Sequence, residues 1–270
     1  VTTATPVQPT PHRAAGVGPG LWLFDCDELA GHLLRLDDDG TALSPNERTR
    51  AARIGDEQQR LRWVCARIAL RRSLGVWSGV PLERRDFDVT AQGRPHLPSP
   101  APSFSLSHTG RYVLIAVCGS AHIGADIEQI APRKIAPERR ARLTGFALRL
   151  ADGAALDAWG DEHGRFIQAW CRIEASAKAE GCGVGRLLTR AGLMGPSSGR
   201  PHSSAHTKSA AHANGPSEPP AQPAMRAIDL DISRLAPGHA AALAARPDAV
   251  AAWGDALAVE DGAALLPARH

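Results

Sequence analysis

Lysine is scarce in this chain. Of 31 basic residues only Lys134, Lys178 and Lys208 are lysines, and the arginine and alanine excess reads as genomic compositional bias, so each lysine gains interest by its rarity. Cysteine pairing is missing as well. Cys26, Cys65, Cys118, Cys171 and Cys182 are scattered, odd in number and without a C-x-x-C pair. That excludes a disulfide framework or a zinc knuckle and fits a reducing cytoplasm. No stretch approaches the ~18 uninterrupted apolar residues of a membrane span, and no basic segment leads into an apolar one as in a signal peptide. A strong charge of either sign is also lacking. The 31 Lys+Arg against 28 Asp+Glu leave +3, which requires neither a nucleic-acid nor a membrane partner.

What is present suits a folded protein. Apolar residues make up 43% and charged residues 22% of 270 residues, enough for one large domain or two small ones with a buried core. Residues 1–20 mix Pro, Thr, Gly and Ala without periodicity and read as a disordered tail. Leu21–Phe24 reads as a buried strand, and residues 25–36 have helical spacing up to the Asp37-Asp38-Asp39-Gly40 turn. Ser44-Pro45 opens a helix, and a second runs over 56–74 with Gly75 as its stop. Leu61, Val64, Cys65, Ile68 and Leu74 form its apolar stripe, whereas Arg62 and Arg67 lie off it and read as solvated surface. Strands are expected over 87–90 and 103–107, with Gln92-Gly93-Arg94-Pro95 as the turn between them. Tyr112–Cys118 is the strongest strand, and Gly119-Ser120 is expected to fold it back on Ile123–Glu128 as a hairpin. An Arg-rich helical stretch over 132–150 precedes a long helix over 165–180 that Gly181 ends. Residues 191–223 have the composition of a mobile insert, and a strand resumes at Met225–Leu230. The mixture, with no G-x-G-x-x-G fingerprint, predicts an α+β fold.

Three fragments carry chemistry. Asp126 and Glu128, two apart on a strand, send their carboxylates to one face, where they repel unless a cation answers them. Oxygen ligands of this kind suit Mg²⁺. Taken alone, the spacing is equally that of a strand-end Asp and a solvated Glu. Glu174 and Lys178 are neighbours four apart on the long helix, a surface ion pair by itself. Trp170 and Ala177 beside them mark a half-buried face instead, and a lysine there is a compact charge for a phosphate oxygen. Ser107-His108-Thr109-Gly110 sets a ring donor beside a turn; alone it is an exposed loop histidine.

In order, Gly93-Arg94-Pro95, Phe104 to Gly110, Ile123 to Glu128, and Trp170 to Lys178 resemble the 4′-phosphopantetheinyl transferases of the larger, surfactin-synthetase-activating type. The resemblance covers residues 43–188 well. It implies a cytoplasmic monomer built as a pseudo-two-fold pair of similar α/β subdomains, residues 21–120 and 121–270, with coenzyme A and Mg²⁺ in the cleft between them. The implied partner is an apo acyl or peptidyl carrier protein, with neither nucleic acid nor membrane involved. Carried over by position, Asp126, Glu128 and Glu174 are metal ligands, Glu174 is also the base, and Lys178 is catalytic and holds the pyrophosphate. His108, supported by Ser107, grips the 3′-phosphate with Arg62 and Arg50, and Arg94-Pro95 lies along the adenine. Two positions depart from the family pattern. Ile173 stands where a lysine is usual, leaving a phosphate contact to Arg172 or Arg186, and Glu47 stands where a basic group is common. A Mg²⁺-dependent hydrolase of nucleotide pyrophosphates and a non-catalytic coenzyme A or carrier-binding protein are the rival readings.

Overall fold

The computed structural model describes residues 18–91, 93–98, 102–119, 122–194, 224–253 and 257–267. Most of the expected tail (1–17) and insert (195–223) lies outside the described residues. The chain runs β1 (Gly20–Asp25), α1 (Ala30–Arg35), α2 (Pro45–Ala52), α3 (Glu57–Ser78), β2 (Asp88–Val89), β3 (Pro95–His96), β4 (Ser103–Thr109), β5 (Tyr112–Cys118) and β6 (Ile123–Gln129). It continues through α4 (Pro137–Leu150), α5 (Glu162–Glu180), α6 (Val184–Arg190), β7 (Arg226–Asp229), β8 (His239–Ala245), α7 (Pro247–Trp253) and β9 (Glu260–Asp261). The fold is mixed α+β.

Alternation along the strands decides the layers. In the sheet ordered β4-β5-β1-β9, Trp22, Phe24, Val113 and Ile115 face α3, whereas Leu21, Leu23, Leu114 and Ala116 face the opposite way. Those second residues meet Ile123, Ala125, Ile127, Ala241 and Leu243 of the other sheet, ordered β6-β8-β7. The far side of that sheet, Ala240, Ala242 and Ala244, is covered by Ile167, Cys171, Ala175 and Ala179 of α5. Two sheets therefore lie face to face, with α3 outside one and α5 outside the other. The alanines of β8 have little side-chain volume, which lets α5 settle close to the sheet.

Gly124 is the tightest point of that contact. A Cβ there would overlap the Ala175 carbonyl and the Ala179 amide, so only glycine lets β6 and α5 touch backbone to backbone.

Three local expectations are corrected. Residues 112–118 and 123–129 do not pair as a hairpin: β5 is already flanked by β4 and β1, so β6 passes to the second sheet and pairs with β8. The hairpin is β4–β5, closed by Gly110-Arg111, with Gly110 at φ 54°. Gly75 does not end its helix. It lies inside α3 where the Val80–Leu82 backbone crosses, and Gly79, in the left-handed conformation, is the cap. The first helix begins only at Ala30, because the Asp25 carboxylate accepts the Asp27 and Glu28 amides in an Asx turn.

The Ser44 cap forms as expected, with Glu47 completing a capping box. The same Glu47 carboxylate accepts from the buried Arg71 at 2.7 Å, so the acid at this position has a structural partner. We expect Gly124→Ala to push β6 off α5 and cost about 3 kcal/mol of unfolding free energy, as steric overpacking does; urea denaturation measures it, and a loss below about 1 kcal/mol would show the contact to be slack.

Candidate active site

At the edge where the sheets come together, β4 and β6 are not joined by a backbone ladder. Side chains bridge them. Ser105 Oγ accepts from the Ala125 amide at 3.0 Å, and Ser107 Oγ donates to Asp126 Oδ1 at 2.7 Å. Lys178, near the C-terminal end of α5, adds a third link: its Nζ donates to Asp126 Oδ1 at 2.6 Å, to Ser107 Oγ at 2.8 Å and to the Ala125 carbonyl at 3.2 Å. Asp126 is 1% exposed, and its other oxygen, Oδ2, is buried with no hydrogen-bond partner in the structure.

A cleft of about 480 Å³ opens over this junction. Ser107, His108, Arg94 and Pro95 line it from one side, and Glu174, Lys178, Gly181, Gly183 and Val184 from the other. Six of the sequence-predicted site residues thus share one cleft. Asp126 sits directly behind Lys178 and Ser107, and Glu128 follows two residues along β6. Burial, and then the charge of Asp126, pushes the Glu128 carboxyl above the usual carboxylate range. The same two causes raise Glu174, against which Lys178 and a hydrogen bond from Trp170 pull. Burial, helped by the charges of Lys178 and Arg67, lowers His108 below its ordinary 6.5.

The remaining predicted residues lie elsewhere. Arg62 is held by Asp27 through two hydrogen bonds of 2.7 and 2.6 Å on another face of α3, away from the cleft lining. Arg50 is absent from the cleft lining and packs on Trp63, 5.7 Å from the ring centroid. Arg67 lies 5.1 Å from the same ring and does line the cleft. The expectation that it is solvated surface is corrected: desolvation lowers its pKa, with Glu47 opposing. Sequence spacing offered one signal for it, its place off the apolar stripe of α3.

Arg172 cannot replace a phosphate contact. Its guanidinium is 1% exposed and forks onto Asp229 at 2.7 Å through both Nε and Nη2, while Nη1 donates to the Ala154 carbonyl at 2.9 Å. Trp159 and Gln168 donate to the same Asp229 carboxylate. Ile173 is fully buried in the α5 core, so a residue there points away from the cleft. Arg186 is exposed on α6 and is absent from the cleft lining.

A carboxyl, an ammonium, an imidazole and two guanidinium groups around one cavity have the chemistry to receive an anionic ligand and accept a proton. Similarity gives the class. The chain is 30% identical over 173 residues to the 4′-phosphopantetheinyl transferase HetI of Nostoc sp. strain PCC 7120, covering 62% of this chain and 70% of that protein. It is 27% identical over 165 residues to a phosphopantetheinyl transferase of Thraustochytrium sp., covering 55% of this chain and 56% of that protein. No protein-family model matches the chain. The chain belongs to the 4′-phosphopantetheinyl transferases and is an enzyme of that class. No helix among the described residues is long and apolar enough to cross a membrane.

The Arg172–Asp229 pair generates a prediction that separates structure from binding. Arg172→Met should cost about 3 kcal/mol of stability, as loss of one partner of a buried pair does, and leave the dissociation constant for coenzyme A within about twofold. Chemical denaturation and calorimetric titration of the folded variant check both halves.

Proposed function

We propose that this enzyme transfers the 4′-phosphopantetheine arm of coenzyme A to a serine hydroxyl of an apo acyl or peptidyl carrier protein and releases 3′,5′-ADP. The observation that supports it most is the pairing of Glu174 and Lys178 in one cleft, with Asp126 buried immediately behind. The new bond joins the serine oxygen to the phosphorus that bears pantetheine. The bond broken runs from that phosphorus to the oxygen that leaves with 3′,5′-ADP.

Glu174, in the cleft beside Lys178, takes the serine proton. Lys178 neutralises a pyrophosphate oxygen as charge develops. Arg67 and His108, which both line the cleft, grip the 3′-phosphate, with Arg50 adding positive charge beside Arg67. Arg62, engaged by Asp27, has no part in that grip.

The buried Asp126 carboxylate supports a Mg²⁺ site, to which Glu128, paired with Arg133 at 3.1 Å, would have to turn. Asp126 Oδ2 is an orphaned buried acceptor, and Asp126 raises both Glu128 and Glu174 by its charge. Among the described residues, no three or more His, Cys, Asp or Glu side chains form a ready-made metal cluster. Asp126, Glu128 and Glu174 would hold the ion, which supplies charge neutralisation to the diphosphate when bound. A cytoplasmic monomer of the larger, two-subdomain type, divided near residue 120, completes the reading.

Incubation with coenzyme A, Mg²⁺ and a panel of apo-carrier proteins, read by intact mass, tests it. Carrier mass should rise by one phosphopantetheine as 3′,5′-ADP appears; nucleotide release without carrier gain would instead assign a pyrophosphate hydrolase, and binding without either a non-catalytic module. Glu174→Gln should lower kcat by about 10²–10⁴ and leave coenzyme A bound. Arg67→Leu should raise the KM for coenzyme A about tenfold with kcat at saturation nearly unchanged.

The pH dependence has a definite sign. His108 is neutral near pH 7 because its pKa lies below 6.5 in the free protein, and a bound 3′-phosphate favours the imidazolium. Binding of 3′,5′-ADP should therefore take up a proton and tighten as pH falls from about 8 to 6.5. Titration calorimetry in buffers of different ionisation enthalpy reads the uptake, and His108→Gln should abolish it.

A further inference from the structure

Arg94 is a sequence-predicted ligand contact whose terminal N–H groups are already taken up by carbonyls of the protein itself. The turn that carries it is tightly specified: the Gly93 amide donates to the Thr90 carbonyl at 2.8 Å, the Arg94 amide to Thr90 Oγ1 at 3.1 Å, and Gly93 holds φ 84°. From that turn the guanidinium reaches three other elements. Nη1 donates to the carbonyls of Lys178 at 2.8 Å and Ala179 at 3.3 Å, both in the last turn of α5. Nη2 donates to the carbonyl of Phe104 in β4 at 3.1 Å and to that of Ile123 in β6 at 2.9 Å. The four N–H groups of the two terminal nitrogens are thus all used, leaving only Nε–H.

Two physical consequences follow. The end of a helix leaves carbonyls without intrahelical partners and a partial negative charge, and a half-buried cation on those carbonyls answers both. Burial lowers the pKa of Arg94, as expected for a desolvated guanidinium matched only by dipoles. The second consequence is positional. β4 and β6 are edge strands of different sheets without a ladder between them, and one planar group ties a carbonyl of each to the helix end that bears Lys178.

We infer that Arg94 is a positioning residue, which fixes the last turn of α5 against both sheets so that Lys178 meets the diphosphate, and does not itself grip the ligand. The Lys178 carbonyl that Arg94 holds and the Lys178 ammonium on Asp126 are two ends of one residue spanning this junction. A phosphate that recruited Arg94 would have to strip it from four carbonyls, exposing buried acceptors. The inference rests on the transferase reading for its effect on turnover and on geometry alone for its effect on the helix end.

The test uses the full chain with Arg94→Lys and Arg94→Ala, after thermal unfolding has fixed a working temperature at which both are folded. Amide exchange by mass spectrometry should speed up in Arg94→Ala selectively over residues 123–126 and 177–182. Equilibrium binding of coenzyme A should stay within about twofold of the parent, while kcat with an apo carrier falls about tenfold or more, and Arg94→Lys, with one cationic donor group, recovers part of it. A merely structural role would lower the melting temperature without this split between binding and kcat. Coenzyme A binding weakened about tenfold with kcat retained at saturation would make Arg94 a ligand contact and overturn the inference. Unchanged exchange at both segments would overturn it equally. Because exchange needs no turnover, it judges the helix-end contact even if the parent chain transfers nothing, in which case the transferase reading alone fails.

Discussion

One ammonium group holds the centre of this molecule together. Lys178 Nζ projects from α5 onto Asp126 of β6 and Ser107 of β4, so a single side chain links a helix and the edges of two sheets. Its charge answers that of the buried Asp126 and opposes the upward shifts of Glu128 and Glu174. The scarcity of lysine in an arginine-dominated chain makes sense at this point. A guanidinium is planar and forks onto carboxylates, whereas an ammonium fits among a hydroxyl, a carboxylate and a carbonyl converging from different directions.

The rest of the architecture serves to bring α5 close enough. Gly124 lets β6 touch the helix backbone, and the alanines of β8 keep the sheet surface flat beneath it. The helix is then fixed along its length. Its middle is anchored by Arg172 on Asp229, a carboxylate that also takes hydrogen bonds from Trp159 and Gln168. Its end is capped by Arg94. Such anchoring matters for a helix that presents an acid and a cation four residues apart, because a rotation of one residue, about 100°, would turn both out of the cleft.

The two sides of the cleft differ in what they offer a phosphorylated ligand. The α5 side carries the Glu174 carboxyl and the Lys178 ammonium; the α3 and β4 side carries Arg67 and His108, both desolvated and both less readily charged than in water. Such groups gain more from an arriving anion than solvated ones would, since no water shell must be removed from them first. Arg67 and Arg50 both pack against the Trp63 ring, their guanidinium carbons 5.1 and 5.7 Å from its centroid.

Local spacing made much of this readable. Glu174 and Lys178 four apart on a helix, Asp126 and Glu128 two apart on a strand, and Ser44 with Glu47 as a cap follow from periods of 3.6 and 2 that hold whatever the surroundings. Other features depended on which element lies against which. Arg62 and Arg67 both sit off the apolar stripe of α3, about 140° apart on the helix, and only the packing of α3 against the first sheet turns Arg67 to the cleft and Arg62 to Asp27. The partner of β6 was equally out of reach: strand pairing is a contest among all available edges, and β5 had already filled both of its own. Spacing along the chain fixes which way neighbouring side chains point relative to one another. Their absolute directions, and hence whether Arg94 meets a ligand or the end of a helix, come from contacts between residues far apart in sequence, which only the assembled fold decides.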